Sequence, residues 1–133
     1  MDIQDLDDKD RQLIAAASAA LEKNYHAERH TIGSAVLCGS GETYVAVNVE
    51  SCGYGPCAEP IAIGGAISNG ERVLERIVAV GNRHSPHNIV SPCGNCRQLL
   101  LDYAPDCLVV IEHESRLVKV RARDLLPDAY KMF

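Results

Sequence analysis

Three cysteines and one glutamate have the types and spacing of a catalytic metal site. Glu59 follows Cys57 by two residues, and Cys93 and Cys96 lie in a Pro-Cys-Gly-Asn-Cys segment further along the chain. Three thiolates bind Zn²⁺ and leave its fourth position to a water, whereas a structural zinc site closes with four protein ligands. The Glu59 carboxylate then acts on protons as a general acid and base, and is not a ligand. The sequence therefore predicts hydrolytic zinc chemistry.

Other interpretations of the cysteines stay open at this point. Cys52 would supply a fourth thiolate if the site were a closed structural zinc centre. Cys93 and Cys96 alone are also compatible with a redox motif. The six cysteines would allow a disulfide framework in a secreted protein, but the chain is neither small nor loop-rich. Cys38 and Cys107 lie in apolar segments, and we expect both to be inert core residues.

Both metal-binding segments are predicted to begin helices. A Gly-rich loop over residues 52–56 precedes a helix over 57–68, and Pro92 and Cys93 open a helix that extends to residue 103. Helix N-termini lower the pKa of thiols through the helix dipole, which favours thiolate ligands at these positions. Cys93 and Cys96 are three residues apart, so they face the same side of one turn.

The remaining pattern predicts an α/β fold in a single domain over residues 1–133. Apolar residues at helical spacing indicate a first helix, and β-branched and apolar runs indicate strands. The helix covers residues 7–24, the strands cover 34–38, 44–49, 76–80, 107–112 and 117–120, and a helical turn covers 123–126. This order predicts a three-layer arrangement with a sheet of about five strands and helices on both faces. Both metal-binding segments follow loops that leave strands, so they meet at one edge of the sheet.

Composition and charge exclude several kinds of partner. With 133 residues, 47% hydrophobic and 23% charged, the chain is typical of one globular domain. The net charge is -5 and no cluster of Lys and Arg stands out, which disfavours a nucleic acid polymer. No apolar stretch has the length of a membrane span, and the start lacks the basic and apolar regions of a signal peptide. We therefore expect a cytoplasmic protein with a small-molecule substrate.

The chain resembles the cytidine deaminase superfamily over nearly its whole length. The resemblance covers residues 47–50, 55–59, 77–81, 91–98 and 125–127. It implies a cytidine deaminase-like fold and a zinc-dependent aminohydrolase, with Zn²⁺ on the three cysteines and Glu59 as the proton carrier. A Cys as first ligand, with Cys-x-x-Cys later, is similar to the deaminases of free nucleosides. The implied function is deamination of cytidine or deoxycytidine to uridine or deoxyuridine and ammonia, in pyrimidine salvage.

Two branches of the superfamily compete for this chain. Asn48 and Glu50 stand where cytidine deaminases carry an Asn-x-Glu strand motif that binds the ribose hydroxyls; otherwise they are a solvent-facing pair at a strand end. The interval from Asn48 to Cys57 is shorter than usual for that branch. This short interval and the Leu-Leu-Pro-x-x-Tyr ending are similar to blasticidin S deaminase. The alternative substrate is therefore another free base or a cytosine-containing antibiotic. The alternative outside the enzymes is a non-catalytic module that binds zinc or a nucleoside.

The resemblance also implies further substrate contacts and an oligomer. The Ala58 N–H would hold the base carbonyl, and the Ser91 carbonyl would accept a hydrogen bond from the departing amine. His30 stands where cytidine deaminases place a Phe on the base, so it either contacts the substrate or is a surface residue. Family tetramers complete each pocket with an aromatic residue near the C-terminus. This implies a homotetramer in which Tyr130 or Phe133 reaches a neighbouring site.

Two departures from the family pattern concern the surroundings of the metal. Pro60 follows the glutamate where cytidine deaminases commonly carry an Arg that hydrogen-bonds the ligand sulfurs, which leaves the thiolates less neutralised. Arg97, next to the last ligand, and backbone N–H groups are the candidates for compensation. His84 and His87 lie in the loop before Cys93 and are candidates for the rim of the pocket.

Overall fold

A five-stranded sheet in the order β2-β1-β3-β4-β5 forms the centre of the computed structural model, which describes residues 1–82 and 87–132. The β3–β4 pair is parallel, and the other three pairs are antiparallel. The strands are β1 (Ile32–Cys38), β2 (Thr43–Val47), β3 (Leu74–Gly81), β4 (Leu108–His113) and β5 (Arg116–Arg121). The helices are α1 (Asp8–Asn24), α2 (Ala58–Ser68) and α3 (Gly94–Tyr103), and a 3₁₀ turn, Ala122–Leu125, follows β5.

Apolar side chains cover both faces of this sheet. α1 packs on one face through Leu13, Ala17 and Leu21, which contact residues of β1, β3 and β4. α2 and α3 pack on the other face, with Ile63 and Leu100 among the fully buried side chains. The predicted fold class, a three-layer α/β fold with about five strands and helices on both faces, is confirmed. None of the helices in the described ranges combines the length and apolar character that crossing a bilayer requires.

Gly33 allows α1 to lie close to the sheet. A Cβ at this position of β1 would be 2.5 Å from the Ala17 carbonyl oxygen and 2.9 Å from the Leu21 Cβ. The Ala17 carbonyl oxygen belongs to the backbone of α1, so relieving such a contact would require α1 itself to move. The layer spacing on this face therefore depends on a residue without a side chain.

A buried ionic cluster anchors the start of α1. Asp7 is the N-cap, and it exchanges capping hydrogen bonds with Asp10. The Asp10 side chain is 0% exposed and accepts from Arg76 on β3 at 2.8 Å and from Lys119 on β5 at 2.7 Å. Because two strands and one helix meet at this carboxylate, the cluster fixes the register of α1 on the sheet.

The observed elements differ from the predicted ones at their ends. β2 ends at Val47 and not at residue 49, so Asn48 and Glu50 follow the strand. The Asn48 N–H still bonds to the Ile32 carbonyl, but the Ile32 N–H bonds to the Asn48 side-chain oxygen. A side chain has replaced the backbone acceptor, and this ends the ladder. α2 and α3 begin one residue after Cys57 and Cys93, and the ends of the observed strands differ from the predicted ones by at most two residues.

Candidate metal and catalytic site

The structure brings the three predicted metal ligands together. The Cys57 and Cys93 sulfurs are 3.7 Å apart, the Cys93 and Cys96 sulfurs are 3.4 Å apart, and all three lie within 4.8 Å of one another. Zinc with Zn–S bonds near 2.3 Å in tetrahedral geometry separates its sulfurs by about 3.8 Å. The donor set therefore fits Zn²⁺ in both spacing and chemistry.

This group of sulfurs is an open site. In the part of the chain that the structure describes, no fourth His, Cys, Asp or Glu joins the three ligands. Cys52, the candidate for closing a structural zinc centre, is exposed in the preceding loop and is not in the group. Cys38 and Cys107 are buried, and burial raises the pKa of Cys38 to about 11 and that of Cys107 to about 12. They have the properties of inert core thiols.

Two helix N-termini converge on the sulfurs. Cys57 and Cys93 are the N-caps of α2 and α3, with extended backbone, and neither thiol caps its own helix. Burial would raise the pKa of Cys93, but hydrogen bonds from the Cys96 backbone and from neighbouring thiols outweigh it, so the pKa of Cys93 is lowered. Burial raises the pKa of Cys57 and Cys96, and the charge of Glu59 adds to the effect. Positive helix ends oppose this accumulation of negative charge.

Glu59 lies in the first turn of α2, next to the sulfurs. Glu59 is only 5% exposed, and this burial raises the pKa of its carboxyl above the ordinary value. A hydrogen bond from the backbone N–H of the same residue opposes the rise. A carboxyl in such surroundings is suited to hold and release a proton. Ala58, which is 0% exposed, precedes it at the first helical position, where the N–H has no acceptor within the helix.

Asn48, Glu50 and His30 form a connected group beside this site. The Asn48 side-chain nitrogen donates to Glu50 Oε1 at 3.1 Å, and His30 Nδ1 lies 2.8 Å from the Asn48 carbonyl oxygen. A carbonyl only accepts, so His30 carries its proton on Nδ1 and presents Nε2 as an acceptor when neutral. The Val49 N–H donates to the Pro56 carbonyl at 3.2 Å, which ties the group to the residue before the first metal ligand.

Arg97 and Gln98 hold the C-terminal segment against α3. The Arg97 guanidinium donates to the Pro92 carbonyl at 2.7 Å and to the Leu125 carbonyl at 3.1 Å, so its hydrogen bonds go to carbonyl oxygens and not to sulfurs. The predicted charge compensation by Arg97 therefore has no hydrogen bond to support it. Gln98 donates to the Tyr130 carbonyl at 3.0 Å. This fastening of the C-terminal segment was not predicted from the sequence.

The other predicted contacts lie at the surface or outside the described residues. Ser91 is exposed in the segment before Pro92, and the Tyr130 residue is 76% exposed. A cavity of about 530 Å³ separates the second half of α3 from the C-terminal segment, and none of the predicted site residues lines it. His84 and Phe133 are outside the described ranges, and His87 is exposed.

Gly55 belongs to the site and was missed by sequence reasoning. A Cβ there would lie 2.6 Å from Glu50 Oε2, so the loop before Cys57 passes directly over this carboxylate. The Gly-Pro dipeptide in an unusually short loop was the available signal, because a short connection brings backbone close to the residues it spans.

Comparison with known proteins decides the family. Residues 7–112 match the model of the cytidine and deoxycytidylate deaminase zinc-binding region, which is more than half of the chain. The chain belongs to this family. It is a zinc-dependent deaminase, and the sequence-based predictions of family, enzyme class and Zn²⁺ are confirmed. The predicted alternative of a non-catalytic binding module has no support in these comparisons.

Relatives of two kinds resemble the chain along nearly its full length. The blasticidin-S deaminase of Bacillus cereus is 40% identical over 129 residues, which cover 92% of each chain. The cytidine deaminase of Halalkalibacterium halodurans is 34% identical over 127 residues, covering 91% of this chain and 94% of the other. The crystal structure of cytidine deaminase from Burkholderia pseudomallei superposes with a TM-score of 0.76 at 35% identity, covering 90% of this chain and 98% of that one.

Proposed function

We propose that the protein hydrolyses the exocyclic amine of a free cytosine nucleoside, cytidine or deoxycytidine, to give uridine or deoxyuridine and ammonia. The observation that carries this proposal is a buried carboxyl, Glu59, beside three sulfurs that leave one side of the metal position open. Relatives named cytidine deaminase support the choice of substrate. The net charge of -5 supports a small substrate over a polynucleotide.

The protein's own residues divide the proton transfers and the positioning of the base. Zinc on the three cysteines supplies the Lewis acid that makes water nucleophilic. Glu59 would take one proton from that water and pass it to the ring nitrogen, and would then take the proton of the new hydroxyl on the ring carbon and give it to the amine. A C–O bond forms at the ring carbon, the C–N bond breaks, and ammonia leaves. The Ala58 N–H donates to the base carbonyl, and the Ser91 carbonyl accepts from the amine.

The group of Asn48, Glu50 and His30 is the part of the site that selects the rest of the substrate. A carboxylate accepts hydrogen bonds from hydroxyls, and Glu50 is an exposed carboxylate that stands three residues beyond the end of β2. His30 offers an imidazole edge or face to the base, because its other ring nitrogen is held by the Asn48 carbonyl. We assign sugar recognition to this group.

A second candidate substrate is a cytosine-containing antibiotic. The 40% identity to a blasticidin-S deaminase over 129 residues favours it, as do Pro60 and His30 at positions where the cytidine deaminase pattern has Arg and Phe. The same zinc and Glu59 chemistry serves both substrates, so they differ only in the contacts made outside the cytosine ring.

We further propose a cytoplasmic homotetramer of single-domain chains. The exposed side of the site supports an oligomer, because Cys93 and Glu50 are exposed in the isolated chain and a deaminase site works best when water is excluded. Tyr130, 76% exposed, is available to a neighbouring subunit. Thiol ligands that must stay reduced support a reducing compartment.

Ammonia release from the purified zinc-loaded protein tests the proposal. The panel consists of cytidine, deoxycytidine, cytosine and blasticidin S, with Glu59→Gln as the control. We expect nucleoside turnover that falls about 10²- to 10⁴-fold in Glu59→Gln, at unchanged zinc content, because general acid–base catalysis contributes this much. Turnover of blasticidin S alone would select the second candidate. Activity in Glu59→Gln equal to that of the wild type would contradict the assigned proton transfers.

A further inference from the structure

Cys93 is the metal ligand that core packing holds least. Cys96 is 0% exposed and lies within α3, whereas Cys93 is exposed and stands just before the helix with extended backbone. The Cys93 and Cys96 sulfurs are nevertheless 3.4 Å apart, close to the spacing of two sulfurs on one zinc ion. A contact outside the core therefore has to hold the segment that carries Cys93.

Arg97 closes this segment onto the start of α3. Its backbone N–H donates to the Cys93 carbonyl at 2.9 Å, and its side-chain Nε donates to the Pro92 carbonyl at 2.7 Å. Pro92 is buried, so its carbonyl oxygen needs a partner within the protein. The carbonyls on both sides of the Cys93 Cα are thus held by one residue, which fixes the direction in which the Cys93 side chain leaves the backbone.

The Arg97 side chain is itself anchored to a second element. A terminal nitrogen of its guanidinium donates to the Leu125 carbonyl at 3.1 Å, at the end of the 3₁₀ turn. That turn is tied to the chain ahead of β4 by the Ala122 N–H, which donates to the Cys107 carbonyl at 2.9 Å. The donor to Pro92 therefore belongs to a side chain that is fixed at both of its ends.

The first metal ligand is held in a similar way. Cys57 also follows a proline, and the Pro56 carbonyl accepts from the Val49 N–H at 3.2 Å. At each of the two ligands that precede a helix, the carbonyl of the preceding proline is held by a distant or non-adjacent N–H group. At Cys57 the donor is backbone, and at Cys93 it is the Arg97 side chain.

We propose that Arg97 is a positioning residue for the metal ligand Cys93, and that it acts through the hydrogen bond from Nε to Pro92 and not through its charge. A ligand that is already oriented binds a metal more tightly, because less conformational freedom is lost on binding. The inference concerns the retention of zinc, so it goes beyond the proposed function and does not depend on which substrate is deaminated.

Two substitutions separate the hydrogen bond from the charge. Arg97→Lys keeps the positive charge but has a methylene where arginine has Nε. Arg97→Gln is neutral, but its side-chain NH₂ is the same number of bonds from Cα as Nε and can donate to Pro92. The measured quantity is the Zn²⁺ dissociation constant, from transfer of the metal from the loaded protein to a chromophoric chelator. The absorption of the Co²⁺-substituted protein, which reports thiolate coordination, is the second readout.

Positioning and charge compensation predict opposite orders of affinity. We expect Arg97→Lys to weaken Zn²⁺ binding about 10- to 100-fold, the usual effect of replacing a residue that orients a metal ligand. Arg97→Gln should bind Zn²⁺ more tightly than Arg97→Lys and keep the Co²⁺ spectrum of the wild type. An affinity of Arg97→Lys equal to or higher than that of Arg97→Gln would overturn the proposal.

Gln98→Leu is the matched control from the same turn of α3. The Gln98 side chain donates to Asp102 and to the Tyr130 carbonyl, both at 3.0 Å, so it fastens the C-terminal segment and not the segment of Cys93. We expect wild-type Zn²⁺ affinity in Gln98→Leu. A loss as large as that in Arg97→Lys would assign the effect to the C-terminal segment and contradict the role of the Pro92 hydrogen bond.

A second pair of variants covers the case in which Arg97→Lys does not fold, which circular dichroism detects. Arg97→Met and Arg97→Gln are both neutral, and methionine has a methyl group where glutamine has its NH₂. Positioning predicts weaker Zn²⁺ binding in Arg97→Met than in Arg97→Gln, and equal affinities would overturn it.

This proposal and the proposed function fail in distinguishable ways. A protein that releases ammonia from cytidine but shows the affinity order of charge compensation keeps the proposed function and loses the positioning role. A protein that shows the expected order of Zn²⁺ affinities without turnover of cytidine or deoxycytidine keeps the positioning role and loses the proposed function.

Discussion

The buried ionic cluster at the start of α1 leads to a quantitative prediction for Asp10→Asn. The Asp10 carboxylate is 0% exposed and contacts Arg76 at 2.8 Å and Lys119 at 2.7 Å, whose side chains are 12% and 6% exposed. Asparagine keeps the shape and removes the charge, so two buried cations lose their buried partner. Removing one partner of a buried ion pair costs about 3–5 kcal/mol. Asp7 still contacts both cations, at 2.7 and 3.1 Å, but is 50% exposed.

We therefore expect Asp10→Asn to lower the free energy of unfolding by about 3 kcal/mol, at the lower end of that range. This is a large part of the 5–15 kcal/mol total typical of such domains, and it corresponds to a fall in Tm of about 10–15 °C. Urea denaturation and calorimetry measure both quantities. Activity per folded molecule should not change, because α1 and the metal site lie on opposite faces of the sheet.

Asp8→Asn is the matched control for this prediction. Asp8 is in the same helical turn, its side chain is 96% exposed, and it contacts Arg11 at 3.3 Å. Exposed pairs of this kind contribute less than about 1 kcal/mol. If Asp10→Asn were no more destabilising than Asp8→Asn, the reasoning from buried charge would be refuted.

Three further predictions concern the Asp7 carboxylate, the metal ligands and the close approach of α1 to the sheet. The Arg76 hydrogen bond holds the pKa of Asp7 well below its ordinary value, so Asp7 stabilises the fold above about pH 4 and this contribution is lost as the pH falls further. The free energy of unfolding of Asp7→Asn should therefore depend less steeply on pH in the acid range than that of the wild type. Identical curves for the two proteins would contradict this prediction. Removing the metal with a chelator should abolish deaminase activity and lower Tm. Both should recover on adding Zn²⁺ but not on adding Mg²⁺, because Mg²⁺ prefers oxygen ligands to thiolates. Recovery with Mg²⁺ would count against the three-cysteine site. Gly33→Ala should cost about 1–3 kcal/mol because its Cβ would meet the Ala17 carbonyl; an unchanged denaturant midpoint would show that α1 moves freely.

Element type and order followed from the sequence because they depend on local patterns. The apolar runs of β1 and β3, the N-terminal Asp of α1 and the Gly-Pro and Pro-Cys starts of α2 and α3 act within a few residues. Element ends were less accurate where a side chain competes with backbone. β2 was predicted to reach residue 49, but the Asn48 side chain takes the Ile32 N–H and ends the strand. Such competition depends on a neighbouring strand and leaves no local signal.

The sequence by itself determined the metal chemistry of this protein. Cys57, Glu59, Cys93 and Cys96 have the residue types and spacing that a zinc deaminase needs, and ligand chemistry depends on little else. Tertiary structure decided how the surrounding residues divide their tasks. Arg97 bonds to the Leu125 carbonyl instead of a sulfur, and the Asn48 side-chain oxygen binds the Thr31 and Ile32 N–H groups. These assignments are contacts between segments far apart in the chain, and only folding brings their hydrogen-bonding groups within reach of each other.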